Sequence, residues 1–281
     1  MTAKVVLVGL CGGGLLAAAL MAARWGSLRR DDRPPKDDAT TAREAVLRAL
    51  RSVAVAVAGG GIAGVLVGGL GGRLIMRLLA ATSGPAAQGL TTQAEQPVGE
   101  VTLDGTLGVL VFGGLLVGMV GGVAYVAIRR WLPATAWLAG LTFGVLILAM
   151  ARPLDLLDPG NVDFTILHPK ALAVPLLAAI PLVYGVVLGA VVERLDRGYP
   201  TLAWRASAIA AYLPLVVLLI PTLAAGLIIV LVGAIAMRRA GGFRRWWSSK
   251  PVERGGRAVL AGAGLAGMAW ITASVVDIFT V

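Results

Sequence analysis

The chain carries very few of the side chains that build catalytic and metal-binding sites. Cys11 is the only cysteine and His168 the only histidine, so an internal disulfide is impossible and no cysteine cluster can bind a metal. The sequence also lacks the His-Glu-x-x-His, Gly-x-Ser-x-Gly and phosphate-loop motifs of familiar enzymes. We therefore expect no metal, no cofactor and no recognisable catalytic activity.

Charged residues are scarce as well. They make up 14% of the 281 residues, against about 25% in a typical soluble domain, while 58% are hydrophobic. Several uncharged runs reach the roughly 20 residues that a helix needs to cross a bilayer. The composition predicts an all-α, polytopic transmembrane helix bundle of seven or eight spans in the lipid bilayer. The apolar runs are 5–23, 53–79, 106–128, 134–151, 171–192, 206–237 and 258–276.

The positive charges fall in a few segments between these runs. A net charge of +10 would suggest nucleic acid for a soluble protein, but here Lys and Arg cluster as the positive-inside rule expects, so we expect no nucleic-acid partner. The basic segments 24–51, 129–133 and 193–205 are assigned to the cytoplasm, and the acidic segments 81–105 and 152–170 to the outside. This alternation places the N-terminus outside.

Two N-terminal segments precede the main bundle. Residues 1–23 are interpreted as the first transmembrane span, uncleaved because basic residues follow it closely. Residues 24–51 form a charged cytoplasmic linker that ends in an amphipathic lead-in helix. The capping-box spacing of Thr41 and Glu44 predicts that this helix starts at Ala42. Residues 52–281 then form the transmembrane bundle.

The apolar run 206–237 leaves the span count open. If it crosses once, the count is seven and the basic segment 238–257 lies outside, against the charge rule. If it is a hairpin broken near Pro214 or Pro221, where proline interrupts the helical hydrogen bonds, the segment is an inner loop and the count is eight.

Glycines recur every four residues in two of the runs. Residues four apart lie on one slowly drifting stripe of an α-helix, and glycine lets a second helix approach to backbone contact. We therefore predict that the runs 53–79 and 106–128 pack closely along these glycines. They are Gly60, Gly64, Gly68 and Gly72 in the first run and Gly114, Gly118 and Gly122 in the second.

Charged residues also gather at the predicted outer face. Arg73 and Arg77 lie one helical turn apart at the end of the run 53–79. Two interpretations stay open: the charges pair with each other and hold the outer loops together, or the basic side chains bind an anion or a lipid headgroup, for which guanidinium groups are suited. The full set is Arg73, Arg77, Arg152, Asp155, Asp158, Asp163, His168 and Lys170.

Three short segments resemble a group of uncharacterised multi-pass membrane proteins of actinobacteria. They are Gly72-Arg73-Leu74-Ile75-Met76-Arg77-Leu78-Leu79, Gly105-Thr106-Leu107 and Val192-Glu193-Arg194-Leu195-Asp196-Arg197, and the resemblance covers roughly residues 55–197. It implies a multi-pass protein of a bacterial cytoplasmic membrane and implies no activity.

Together these patterns favour an integral membrane protein without catalytic activity. It would work through helix packing, as an accessory or assembly subunit, beside another membrane protein, or as a homo-oligomer. A transporter or channel for a small or lipid-like solute is the first alternative, with the break at Pro214 or Pro221 as its gate. A lipid-modifying enzyme is the second, and it requires Arg73, Arg77 and the aspartates to converge around a pocket at the outer face.

Overall fold

The computed structural model describes part of the chain. The described residues are 42–92, 97–100, 102–149, 157–199, 212, 215 and 249–280. Within these ranges the protein is helical and contains no β-strand. The predictions for the span 1–23, the linker up to residue 41, Arg152, Asp155, the run 206–237, Pro214 and Pro221 lie outside the described residues.

The helices follow the apolar runs. Helix α1 (Ala42–Ala63) continues through a π-helical segment (Gly64–Gly71) and ends as α2 (Gly72–Thr82). Helix α3 (Leu103–Gly108) likewise continues through a second π-helical segment (Val109–Leu116) into α4 (Val117–Ile128). The remaining helices are α5 (Ala136–Ala149), α6 (Asp163–Ile166), α7 (Lys170–Gly198) and α8 (Lys250–Thr280).

Four of these helices are long and apolar enough to cross a membrane. They are Leu50–Thr82, Gly105–Trp131, Lys170–Gly198 and Lys250–Thr280, with 27 to 33 residues each. Helix α5, which occupies the apolar run 134–151, has only 14 described helical residues. A helix satisfies its backbone donors and acceptors internally, which is the requirement for a segment in hydrocarbon. The described fold is therefore compatible with a membrane protein.

The helices form one bundle. Helix α5 makes its most extensive contact with α7, α1 packs on α4, and the two π-helical segments pack on each other. Helix α8 lies against α5. Inside the bundle, the rings of Tyr125 and Phe143 meet edge to face at 5.4 Å between centroids, and Tyr125 is fully buried.

Two polar contacts define the directions of α7 and α8. The C-terminal end of α7 lies beside α1 and α4, because Asp196 contacts Arg51 and Arg129. Helix α8 begins at this same end, where Gly256 lies directly against the Trp131 indole. At the opposite end, the Lys170 ammonium donates to the Ile278 carbonyl at 2.9 Å. Helices α7 and α8 are therefore antiparallel.

Residues 250–257 require one correction. The charge pattern assigns them to the inner loop 238–257, but they form the first two turns of α8. The helix extends beyond the apolar run because Glu253 and Arg257 form an i,i+4 ion pair at 2.6 Å, which supports a helix in its charged first turns. The inner segment between α7 and α8 is correspondingly shorter.

Candidate functional site

The first contact region is formed by glycines on two antiparallel helices. A Cβ atom added at Gly60 would lie 2.9 Å from the Gly122 Cα, and one added at Gly64 would lie 2.7 Å from the Gly118 Cα. Ordinary carbon–carbon contacts are about 3.5–4.0 Å, so neither position has room for a side chain. Gly72, in contrast, has no neighbour within 4 Å of an added Cβ among the described residues.

The two π-helical segments lie face to face within this region. A Cβ added at Gly69 of the first segment would lie 3.4 Å from the Leu110 Cα of the second. The Gly118 carbonyl, just beyond the second segment, accepts a hydrogen bond of 2.8 Å from the buried Tyr184 hydroxyl. That bond ties α7 to the same contact. π-Helical turns are rare and occur frequently where helices carry out a function.

Three described members of the predicted outer cluster take part in hydrogen bonds. The Lys170 ammonium donates to the backbone carbonyl of Ile278, near the C-terminal end of α8. The helix dipole favours a cation at this end of a helix. Asp158 accepts from the Gly160 backbone at 2.7 Å within its own turn. His168 is exposed, and its backbone N–H donates to the Ser83 hydroxyl at 2.9 Å.

Asp163 and Arg77 differ in their exposure. Asp163 is 6% exposed at the start of α6. Arg77 is exposed on α2. The described members of the set thus include both buried and exposed side chains.

Arg73 differs from the other described members of the set. Its Nε and Nη2 atoms are buried, and neither has a hydrogen-bond partner among the described residues. These two nitrogens form one edge of the guanidinium, the edge that holds a carboxylate or phosphate through two parallel hydrogen bonds. Arginine cannot lose its charge in a protein. Arg73 therefore presents a buried, positively charged pair of donors.

The end of the bundle at which α7 finishes contains an ion cluster around Asp196 that the sequence analysis missed. Asp196 accepts from Arg51 and from Arg129, each at 2.9 Å, with the side chains 24–27% exposed. Arg51 also donates to the Tyr199 carbonyl at 3.2 Å. Burial raises the pKa of the Tyr199 hydroxyl, and the nearby Tyr212 adds to the increase, so Tyr199 stays neutral at physiological pH. One feature of the sequence could have indicated this cluster. Arg51, Arg129 and Asp196 all lie at ends of apolar runs, in segments that the charge pattern assigns to the same face of the membrane.

The exposed side of helix α8 carries a line of small residues, which we call the small-residue seam, between larger exposed residues such as Val259, Leu265 and Val276. Its members recur every three or four positions, so at about 100° per residue they share one side of the helix. All are exposed, and among the described residues an added Cβ at Gly255 or Gly262 would meet nothing within 4 Å. The seam comprises Gly255, Ala258, Gly262, Ala266, Ala269 and Ala273.

The fold and these contacts define a class of protein, an all-helical bundle with helices that suit a membrane. Among the described residues, no group of three or more His, Cys, Asp or Glu side chains could hold a metal ion. No protein-family model matches the chain, and neither a curated protein nor a solved structure shows significant similarity to it.

Proposed function

We propose that the chain is an integral membrane protein that works through helix packing rather than catalysis, and that it associates with a second copy of itself through the small-residue seam of α8. The seam is the observation that carries this proposal. Only 17% of the apolar window of this helix is buried, against 61% for the span Leu50–Thr82. Most of α8 therefore faces away from the other helices that the structure describes.

The outward surface of α8 also exposes Val259, Leu265 and Val276 by 55–74%, so only the seam favours a helix as its neighbour. On the span Leu50–Thr82 the outward stripe is Ile62, Leu66, Leu70 and Leu74, all 45–52% exposed. Such side chains suit acyl chains. Glycine and alanine instead leave the backbone accessible. In lipid no hydrophobic effect drives helices together, so helices associate through close contact of their backbones.

A second copy is the partner that the seam fits best. Two copies inserted in the same orientation present identical faces, so a twofold pair buries both seams in a self-complementary contact. The seam begins beside the Glu253–Arg257 ion pair. A parallel copy would therefore bring charges of both signs to the start of the contact.

The glycine contact between α1 and α4 supports the same principle inside the chain. There the backbones lie so close that Gly60 and Gly64 have no room for a Cβ. The protein thus already has one helix pair that small residues bring to backbone distance. The seam repeats this chemistry on an outward face.

A pair of matched substitutions tests the proposal. Ala266→Leu places a large side chain in the seam, and Ala261→Leu makes the same change at an exposed position of α8 about 100° away. By light scattering of the purified chain, we expect wild type and Ala261→Leu to have twice the 28.8 kDa of one chain, and Ala266→Leu to be monomeric.

The other results are equally decisive. A monomeric wild type contradicts self-association. Co-purification of a different protein that Ala266→Leu alone releases would make the seam a contact for an unlike subunit. A dimer that resists Ala266→Leu would locate the contact elsewhere.

The membrane topology belongs to the proposal as well. The described ends of the segment between α7 and α8 lie at the same end of the bundle, as Asp196 and Gly256 do. This supports an even number of crossings between them, and with it the eight-span arrangement in a bacterial cytoplasmic membrane. In a Cys11→Ser background, cysteines at Arg197 and Ser249 should react with an impermeant thiol reagent from the same side; reaction from opposite sides would contradict the hairpin.

A further inference from the structure

We propose that Arg73 binds the phosphate of an anionic membrane lipid through its Nε–Nη2 edge. This inference is independent of the association through α8. It rests on a buried guanidinium edge for which the described residues supply no hydrogen-bond acceptor. A buried charge without a partner is strongly unfavourable, so a counter-ion is required.

The depth of Arg73 in its helix points to a partner that comes from the membrane. The span Leu50–Thr82 has its midpoint at residue 66, so Arg73 lies about 10 Å and Arg77 about 16 Å beyond it at 1.5 Å per residue. The hydrocarbon core extends about 15 Å from its centre. With the bilayer centred on that midpoint, Arg73 lies inside the hydrocarbon and Arg77 at its edge, and ionisable residues at such depth mark functional sites.

The side chains around Arg73 fit a lipid better than a free anion. Leu70 and Leu74, its neighbours on the helix, are 49% and 52% exposed and offer an apolar surface for an acyl chain. Arg77 is exposed one turn further toward the predicted outer face. A phosphate held by Arg73 thus has a second cation above it and apolar surface below it.

The described carboxylates give no competing explanation. Asp196 is engaged at the opposite end of the bundle by Arg51 and Arg129. Asp158 bonds within its own turn. Within the described ranges no hydrogen bond joins either free nitrogen of Arg73 to any acceptor.

Lipid-dependent stability tests the proposal on the full chain. Delipidated protein in a neutral detergent is melted with added phosphatidylglycerol, phosphatidylcholine or inorganic phosphate. We expect phosphatidylglycerol to raise the Tm of wild type and the other two to leave it nearly unchanged. The concentration of phosphatidylglycerol at half effect should rise about ten-fold or more in Arg73→Gln, because two charge-assisted hydrogen bonds are lost.

Two further variants separate the site from general charge. Arg254→Gln removes an exposed arginine at the other end of the bundle and should keep the wild-type response, and Arg73→Lys should give an intermediate one. The comparison of the three additives on wild-type protein stands even if Arg73→Gln does not fold.

Equal stabilisation by phosphatidylglycerol and phosphatidylcholine overturns the proposal, and stabilisation by inorganic phosphate makes the site one for a free anion. Loss of the response in both Arg73→Gln and Arg254→Gln assigns it to net charge.

Discussion

The contact between α1 and α4 predicts opposite effects for the same substitution at two glycines of one long helix. Gly60→Ala should destabilise the protein, and Gly72→Ala should stabilise it. An added Cβ at Gly60 would lie 2.9 Å from the Gly122 Cα and would also contact the Gly118 carbonyl group, whereas Gly72 has no neighbour within 4 Å. The two changes are chemically identical, so only the surroundings can separate them.

The size of the effect follows from the distances. Reaching an ordinary carbon–carbon separation of about 3.5–4.0 Å requires the helices to move apart by about 0.6–1.1 Å. Inserting a methyl group into such a tight contact costs typically about 1–3 kcal/mol. Replacing glycine by alanine in a helix without a clash gains about 0.5–1 kcal/mol. We therefore expect the two variants to differ by about 2 kcal/mol in their free energy of unfolding.

Reversible unfolding in mixed micelles provides the assay. Both variants and the wild type are titrated with denaturing detergent, and helical circular dichroism reports the folded fraction. A Gly60→Ala variant at least as stable as Gly72→Ala would refute the close backbone contact. The double change of Gly60 and Gly122 to alanine should be strongly non-additive, because both positions lie at one contact.

Three further predictions concern other contacts, each tested by unfolding or hydrogen exchange. Asp196→Asn should cost about 2 kcal/mol because it weakens two charge-assisted hydrogen bonds at once, while the control Glu253→Gln, at an exposed ion pair, should cost less than about 0.5 kcal/mol; equal costs would contradict the structural role of the Asp196 cluster. Lys170→Met should speed amide exchange in the last turn of α8, whose carbonyl it no longer binds, and unchanged exchange would show that the contact is dispensable. Ser274→Ala should stabilise the protein by about 1 kcal/mol, because the buried Ser274 hydroxyl has no partner among the described residues; a loss of stability would reveal an acceptor.

Hydrophobic runs were the informative part of the sequence for the positions of the helices. Helix positions follow from long apolar runs, because an α-helix satisfies its own backbone hydrogen bonds in lipid. The predicted helix start at Ala42 rests on capping chemistry and lies at the edge of the described residues. Helix ends are harder to predict from the sequence. In α8, charged residues such as Glu253 and Arg257 continue the helix beyond its apolar part.

Proline was a weaker signal than the sequence analysis assumed. Helix α7 remains helical through Pro175 and Pro181, which membrane helices tolerate when neighbouring helices satisfy the freed carbonyls. A proline in an apolar run therefore does not by itself predict a break in the helix. In this chain the even number of crossings beyond α7 is supported by the positions of its flanking helices and not by Pro214 or Pro221.

The functional contacts depend on pairings that spacing does not encode. The Asp196 cluster joins residues 145 positions apart, and which charges meet depends on how the helices are arranged. Similarly, spacing places Gly72 on the same stripe as Gly60, yet only Gly60 lies against another backbone. The seam of α8 is visible as a pattern, but its outward orientation requires the fold.

The central claim is that two copies of the chain meet along the small-residue seam, and disulfide cross-linking in native membranes tests it most directly. In a Cys11→Ser background, Ala266→Cys lies in the seam and Ala261→Cys lies outside it. Under mild oxidation the account predicts a covalent dimer for Ala266→Cys and a monomer for Ala261→Cys. No dimer from Ala266→Cys, or equal dimer from both positions, would contradict it.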